Sequence, residues 1–185
     1  MLKKVEQFVK EAFEKSATGK SIAHFENTVY WIRQLRPDAD EPIIIAAFAH
    51  DIARAFRKTN TEQTFKTKEF NDPAILEEHQ KEGAIIISRF LKKEGYEQEK
   101  IERIKNMIGK HEVGGDAESN LIKDADSLSY FETNAIKHVG LAKTLGTEKV
   151  RKKMAWMFER ISSPKAKEIA KPFYEKTRAR LKNIY

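Results

Sequence analysis

His50 and Asp51 interrupt the most apolar stretch of the chain. Ile43 to Ala49 reads Ile-Ile-Ile-Ala-Ala-Phe-Ala, the pair follows, and Ile52 and Ala53 resume the pattern. A carboxylate in such a run needs a partner, because moving an unpaired charge out of water is very costly. A metal ion is one such partner: it neutralises the carboxylate and takes the neighbouring neutral imidazole as a second ligand. The chain supplies more imidazole, with five histidines at positions 24, 50, 79, 111 and 138. At helical spacing, four of them fall on or beside apolar stripes. His111 continues Ile101, Ile104 and Ile108, and His79 lies between Ile75 and Gly83 with Ile86 and Phe90 beyond. His50 continues Ile43 and Ala46, and His24 shares its stripe with Thr28, Trp31 and Leu35. A lone core-facing histidine is usually just hydrogen-bonded. Four from different helices, one beside an Asp, read better together, since converging imidazoles are how helical bundles build metal sites. The stretch LIKDADSLSYF, Leu121 to Phe131, adds two carboxylates. Asp126 lies in its apolar part, whereas Asp124 has the commoner alternative of capping a helix.

Helices must position these residues. Nearly every segment has helical period and none alternates like a strand, so the expected class is all-α. Leu2, Val5, Phe8 and Phe13 mark a first helix ending near Gly19, and Ser21 can cap a second that stops before Pro37. Asp40, with Pro42 just inside, opens a third that is expected to carry His50 and Asp51. Asp72-Pro73 opens a fourth, running to about Lys93. Glu97 to His111 reads as a fifth, Glu118 to Gly146 as a sixth broken once near Thr133, and Glu148 to about Ile161 as a seventh. Ser163-Pro164 opens the last, in which Pro172 is expected to break or kink the helix at Lys171. Arg57 to Pro73 is polar, with Phe65 and Phe70 its only large apolar residues. It is long beside the usual connection of about 4–6 residues, and reads as either a lid over a site or a mobile surface loop.

The 185 residues suit one domain, 1–185, with a motif-bearing core at about 21–130 and C-terminal helices 148–184 packed on it. The 35 basic against 28 acidic residues give a net charge of +7, which favours an anionic partner or substrate. With no cysteine, disulfides, thiolate metal sites and cysteine nucleophiles are excluded. No apolar run is long enough to span a membrane, so no membrane partner is expected. MLKKVEQFVKEAF lacks the continuous apolar region of a signal peptide, so the expected location is the cytoplasm. The oligomeric state is not readable from these features.

His24, His50-Asp51 and Asp126 in Asp-Ala-Asp-Ser-Leu resemble the H…HD…D signature of the HD-domain metal-dependent phosphohydrolases. His79 in His-Gln-Lys-Glu-Gly-Ala and His111 in Ile-Gly-Lys-His-Glu resemble the two extra histidines of members that bind two metals. The resemblance covers about Ser21 to Tyr130 and implies a helical bundle of the HD-domain type. It implies that His24, His50, Asp51 and Asp126 hold one metal, with Asp51 bridging to a second held by His79 and His111. Asp51 and Asp126 are then the catalytic carboxylates, Asp124 supports the site or caps a helix, and His138 has no counterpart and reads as a packed or surface histidine. The implied activity is hydrolysis of a phosphate ester or anhydride of a small, nucleotide-like substrate by a metal-bound hydroxide. One or two divalent ions are implied, and imidazole and carboxylate ligands without sulfur suit Mn, Zn, Fe, Co or Ni without choosing between them.

The sequence departs from that pattern in places. Ile-Ala-Arg follows the His-Asp pair where many members have Ile-Gly-Lys, so Arg54 stands where a lysine often contacts substrate. Arginine suits phosphate by bidentate donation, the other reading being an exposed arginine on a helix face. The Gly-Tyr-Pro motif of the cyclic-dinucleotide phosphodiesterases is absent after His111, as is the acidic residue that follows His-Asp in the deoxynucleotidases. Lys110 and Lys123 are near ligands in sequence and could help hold phosphate. Two further functions stay open. A few HD-domain proteins with the same six ligands hold two irons and use oxygen to cleave a C–C or C–P bond. A basic nucleic-acid-binding module is less favoured, resting on Lys149 to Lys153 and the lysines and arginines from Lys165 onward. Met154, Trp156, Met157 and Phe158 read as core, as a dimer face, or as a stacking wall beside Arg160.

Overall fold

The computed structural model describes residues 1–16 and 22–183. Among these the chain is all-helical, with eleven α-helices, one short 3₁₀ turn and no strand. The expected ending of the first helix near Gly19 and the expected cap at Ser21 lie outside the described residues.

The helix Glu41–Ala49 (α3) is the centre of the packing. It starts where Asp40 accepts a hydrogen bond from the Ile43 amide and Pro42 sits in the first turn, and Pro42 to Ala49 are all buried. A helix apolar on every side must be covered on every side. Leu2–Glu14 (α1), Ala23–Leu35 (α2), Gln98–Gly109 (α6) and Ala117–Thr133 (α7) do so. Between α3 and α6 come Thr61–Phe65 (α4) and Pro73–Lys93 (α5), the latter capped by Asp72 and packed along α6. Ala135–Gly140 (α8), Ala142–Leu145 (α9), Thr147–Glu159 (α10) and Pro164–Lys182 (α11) complete the chain, with α11 lying on α7 and α10.

Four local expectations are corrected. First, α3 does not carry His50 and Asp51. It stops at Ala49, and the two residues form the junction to a 3₁₀ turn, Ile52–Phe56. His50 Nδ1 bonds the Ala47 carbonyl at 2.8 Å, a group that helix continuation would use, and the chain tightens there. Second, His111 lies in the turn just past α6 rather than on it. Third, the long sixth helix breaks twice, at Asn134 and at Leu141. Fourth, Pro172 does not break α11, which runs through it to Lys182. Pro172 and Glu168, whose carbonyl loses its partner, both face solvent, so water can satisfy that carbonyl.

The segment Arg57 to Pro73 is also more ordered than a bare loop. Asn60 and Gln63 form a reciprocal capping box at α4. Phe65 and Phe70 are buried with ring centroids 4.3 Å apart, and Lys149 Nζ donates to the Phe65 and Lys68 carbonyls. It forms a wall of the cavity described below.

Gly83 of α5 meets the junction closely: a Cβ there would stand 3.3 Å from the His50 carbonyl oxygen and 3.3 Å from Ile108 Cγ2. A branched side chain has no room in this contact. Gly83→Val is expected to cost about 1–3 kcal/mol and to lower Tm by about 3–10 °C. Thermal unfolding followed by circular dichroism checks this, and an unchanged Tm would contradict the close approach.

Candidate metal centre

Four imidazoles and three carboxylates converge where α2, α5, α7, the α3 junction and the turn after α6 meet: His24, His50, His79, His111, Asp51, Glu112 and Asp126, all buried. They form two clusters. Ligand atoms of Asp51, His79, His111 and Glu112 lie within 4.8 Å of one another, as do those of His24, His50 and Asp51. Asp51 belongs to both. Asp126 joins the second through Oδ1, 3.0 Å from His24 Nε2 and 3.4 Å from His50 Nε2. Asp51 Oδ1 stands 2.6 Å from His79 Nε2 and 3.8 Å from His111 Nε2.

Hydrogen bonds fix three of the rings with a bare nitrogen facing inward. His50 Nδ1 donates to the Ala47 carbonyl and His111 Nδ1 to the Ile108 carbonyl, at 2.8 and 2.7 Å. The hydroxyls of Ser129 and Thr133 give their protons to the His24 and Ser129 carbonyls, so both are acceptors toward His24 Nδ1. Nε2 of each ring is therefore the nitrogen left for a metal, the arrangement that orients metal-binding histidines. His79 differs: Nε2 faces Asp51 and Arg54, while Nδ1 is buried without a hydrogen-bond partner.

The electrostatics are those of a crowded donor set. Burial pulls His79 down to about 3, with Arg54 reinforcing it, and burial also lowers His24. Burial opposes charge on His50 too, but Asp126 and Asp51 outweigh it and its pKa is raised. Burial pushes Glu112 up, yet Arg160 and its neighbours bring it down to about 2. Asp126 is lowered in the same way, chiefly by Arg160 against its burial. Arg160 grips both carboxylates, donating to Glu112 Oε2 and Asp126 Oδ2, and Arg54 Nε donates to Asp51 Oδ1 at 2.7 Å.

These residues fit a metal ion. His50 Nε2 and His111 Nε2 are buried, without a hydrogen-bond partner, and aimed at carboxylate oxygens. Buried polar atoms are rarely left so, and each such case asks for a missing partner. Ligands about 2.1 Å from a common ion stand about 3.0–3.4 Å apart, the spacing of Asp126 Oδ1 from His24 Nε2 and from His50 Nε2. The structure thus brings all six sequence-identified residues together, and adds Glu112, whose amide donates to the buried Gln80 side chain.

The other candidates sort differently. Arg54 is not a solvent-facing helix residue: it lines the cavity beside the clusters and reaches Glu112 as well as Asp51. Asp124 caps no helix of its own but accepts from the Ser162 and Ser163 amides, at 2.7 and 2.8 Å, ahead of α11. Lys110 pairs with Asp116, and Lys123 donates to the Val113 carbonyl and Asn120; neither lines the cavity. His138 does line it, with Nδ1 3.1 Å from the Tyr130 hydroxyl. Met154 and Met157 are core, and Phe158 stacks on Tyr174. The basic run 149–153 is largely engaged: Lys149 holds the 57–73 segment, Arg151 pairs with Glu148, and Lys153 is buried. No helix among the described residues is long and apolar enough to cross a membrane.

Sequence reasoning did not identify Glu112, Arg160 or Lys153 as site residues. Glu112 follows His111 directly, and Arg160 lies one turn from Trp156, but neither belongs to a helical stripe that includes a ligand.

Metal content by mass spectrometry on protein loaded with Mn or Zn is expected to reach two per chain, and to fall to about one in His79→Ala. Ser129→Ala, which frees the His24 ring, is expected to weaken metal binding about 10–100-fold. Affinity should drop as the pH falls, because His50, with its raised pKa, must lose its proton to bind. Calorimetric titration between pH 6 and 8 reads this, and a pH-independent affinity would contradict it.

No curated protein and no solved structure matches the chain significantly. One family model does, over residues 6–184, nearly the whole sequence. The chain belongs to the family described as Domain of unknown function (DUF4202).

Proposed function

We propose that this chain is a metal-dependent phosphohydrolase of the HD-domain type, cleaving a phosphate ester or anhydride of a small anionic substrate. The observation that carries the reading is the sharing of Asp51 by two imidazole-carboxylate clusters at one end of a cavity of about 220 Å³. A divalent pair bound there supplies Lewis acidity toward a phosphoryl oxygen and an activated water.

The chain's own residues hold and orient. Asp51, His79 and His111 would hold one ion, and His24, His50 and Asp126 the other, with Asp51 common to both. Glu112 stands close enough to His111 to join the first set, its Oε1 being 3.8 Å from His111 Nε2. Arg54 is tethered through Nε to Asp51 and through Nη2 to Glu112, which leaves Nη1 without a partner among the described residues. That tether places a guanidinium donor beside the clusters, where it would bind a phosphoryl oxygen and fix its orientation. Burial of the ligands excludes bulk water and strengthens these charge interactions.

Mn-loaded protein is expected to release phosphate from a panel of small phosphate esters and anhydrides. Asp51→Asn and Asp126→Asn should bring turnover to background. Arg54→Ala should raise KM with metal content unchanged, and Arg54→Lys should not restore it, because the tether needs two nitrogens. The same turnover in air and under nitrogen is expected. Oxygen consumption by an iron-loaded sample, with no phosphate released, would overturn the reading in favour of a di-iron oxygenase.

A further inference from the structure

Trp156 of α10 carries two cations on its ring. The Arg160 guanidinium carbon lies 4.7 Å from the ring centroid and Lys153 Nζ lies 4.4 Å from it. They differ in what else they touch. Arg160 is held by Glu112, Asp126 and the Ser127 hydroxyl. Lys153 has no carboxylate, carbonyl or hydroxyl partner among the described residues, and meets only the rings of Trp156, Tyr130 and Phe70.

Lys153 is only 8% exposed, yet it lines the cavity that opens onto the metal clusters. An ammonium so largely withdrawn from water without an anion is costly, and its contacts with the aromatic rings offset only part of that cost. Burial pulls its amine down to about 7, with Glu112 opposing and Arg160 and Arg54 reinforcing. Among the described residues, the cavity lining is also short of negative charge. Arg54, Arg57, Lys137 and Lys153 line it with three carboxylates, and Arg160 already engages two of those. Metal loading would add further positive charge. The missing counter-charge is therefore more than one phosphate at the metals supplies.

We propose that Lys153 is an anchor for a second anionic group of the substrate, so that the ligand carries a phosphate at the metal clusters and a further phosphate or carboxylate at Lys153. This rests on the phosphohydrolase reading for the phosphate end, and on the geometry of Lys153 for the other. Phe65, Phe70 and Tyr130 line the same cavity and suit a small organic group rather than a long polymer.

The test is calorimetric titration of Mn-loaded protein with methylphosphonate, which has one anionic end, and with phosphonoacetate and 3-phosphonopropionate, which have two. Wild type is expected to bind the better of the two-ended ligands at least tenfold more tightly than methylphosphonate. Lys153→Met should abolish that preference and leave methylphosphonate affinity within twofold, and Lys153→Arg should keep most of the preference. Lys153→Met should also raise Tm by about 2–4 °C, because it removes an unpaired buried charge. A residue that only supports the fold would lower it. No preference in wild type, or a preference that survives in Lys153→Met, overturns the anchor. If none of the three ligands binds the loaded protein, the phosphohydrolase reading is what fails. Malonate titrated into metal-free protein then reads Lys153 alone: binding lost in Lys153→Met sustains the anchor, and no binding overturns it as well.

Discussion

Three buried carboxylates set the terms for the rest of this structure. Asp51, Glu112 and Asp126 lie in the helical core, within reach of four imidazoles. Each needs positive charge at short range, since an isolated buried carboxylate would protonate or force the site open. Two guanidiniums supply part of it. Arg54 faces Asp51 and Glu112, and Arg160 faces Glu112 and Asp126. Of the imidazoles only His50, whose pKa Asp126 and Asp51 raise, adds to it. Three have Nδ1 committed to a carbonyl or hydroxyl, and burial pulls His24 and His79 toward the neutral form. What remains is an array of lone pairs pointed at one another, which a cation relieves.

The fold is arranged around that array. An apolar helix enclosed on all sides can end only where its neighbours leave room, and α3 ends at the site. The tightening from Ala49 into the 3₁₀ turn lets consecutive residues His50 and Asp51 serve different clusters. In a continuous helix they would diverge by about 100°. Gly83 makes the junction possible by letting α5 pass close to the His50 carbonyl, which brings His79, one turn earlier, against Asp51. Ser129 and Thr133 of α7 turn the His24 ring from the other side. Backbone geometry and hydroxyl bonds therefore do as much as the ligands themselves to define the centre.

Much of this was legible in the sequence because it is local. Helical periodicity placed His24, His50, His79 and His111 inward, and caps such as Asp40, Asp72 and Ser163 marked helix starts that the structure reproduces. Asp126 was separable from Asp124 by its place in the apolar part of the stretch and by resemblance to a family pattern. The structure supplies the physical reason: Asp124 accepts two amides before α11, whereas Asp126 faces His24 and His50. What the sequence hid depends on distance along the chain. Lys153 looks like a member of a basic surface run, and Arg160 like the neighbour of an aromatic cluster, until α10 folds back over α7 and α8 and withdraws both side chains from water. Pro172 misled for a related reason: its effect depends on whether the carbonyl it deprives faces water, which periodicity alone does not say.

The C-terminal helices are thus part of the centre's charge balance rather than a covering for a site complete without them. The motif-bearing stretch ends at about Tyr130, but the guanidinium that holds Glu112 and Asp126 in one arrangement comes from residue 160. Arginine suits that position where lysine would not. Its planar fork reaches two carboxylates from different elements while its face rests on Trp156. Lysine on the same ring, at 153, lacks the fork, and its amine stays at the cavity. Two cations on one aromatic ring therefore take different roles, Arg160 holding two carboxylates of the donor set and Lys153 remaining for a ligand.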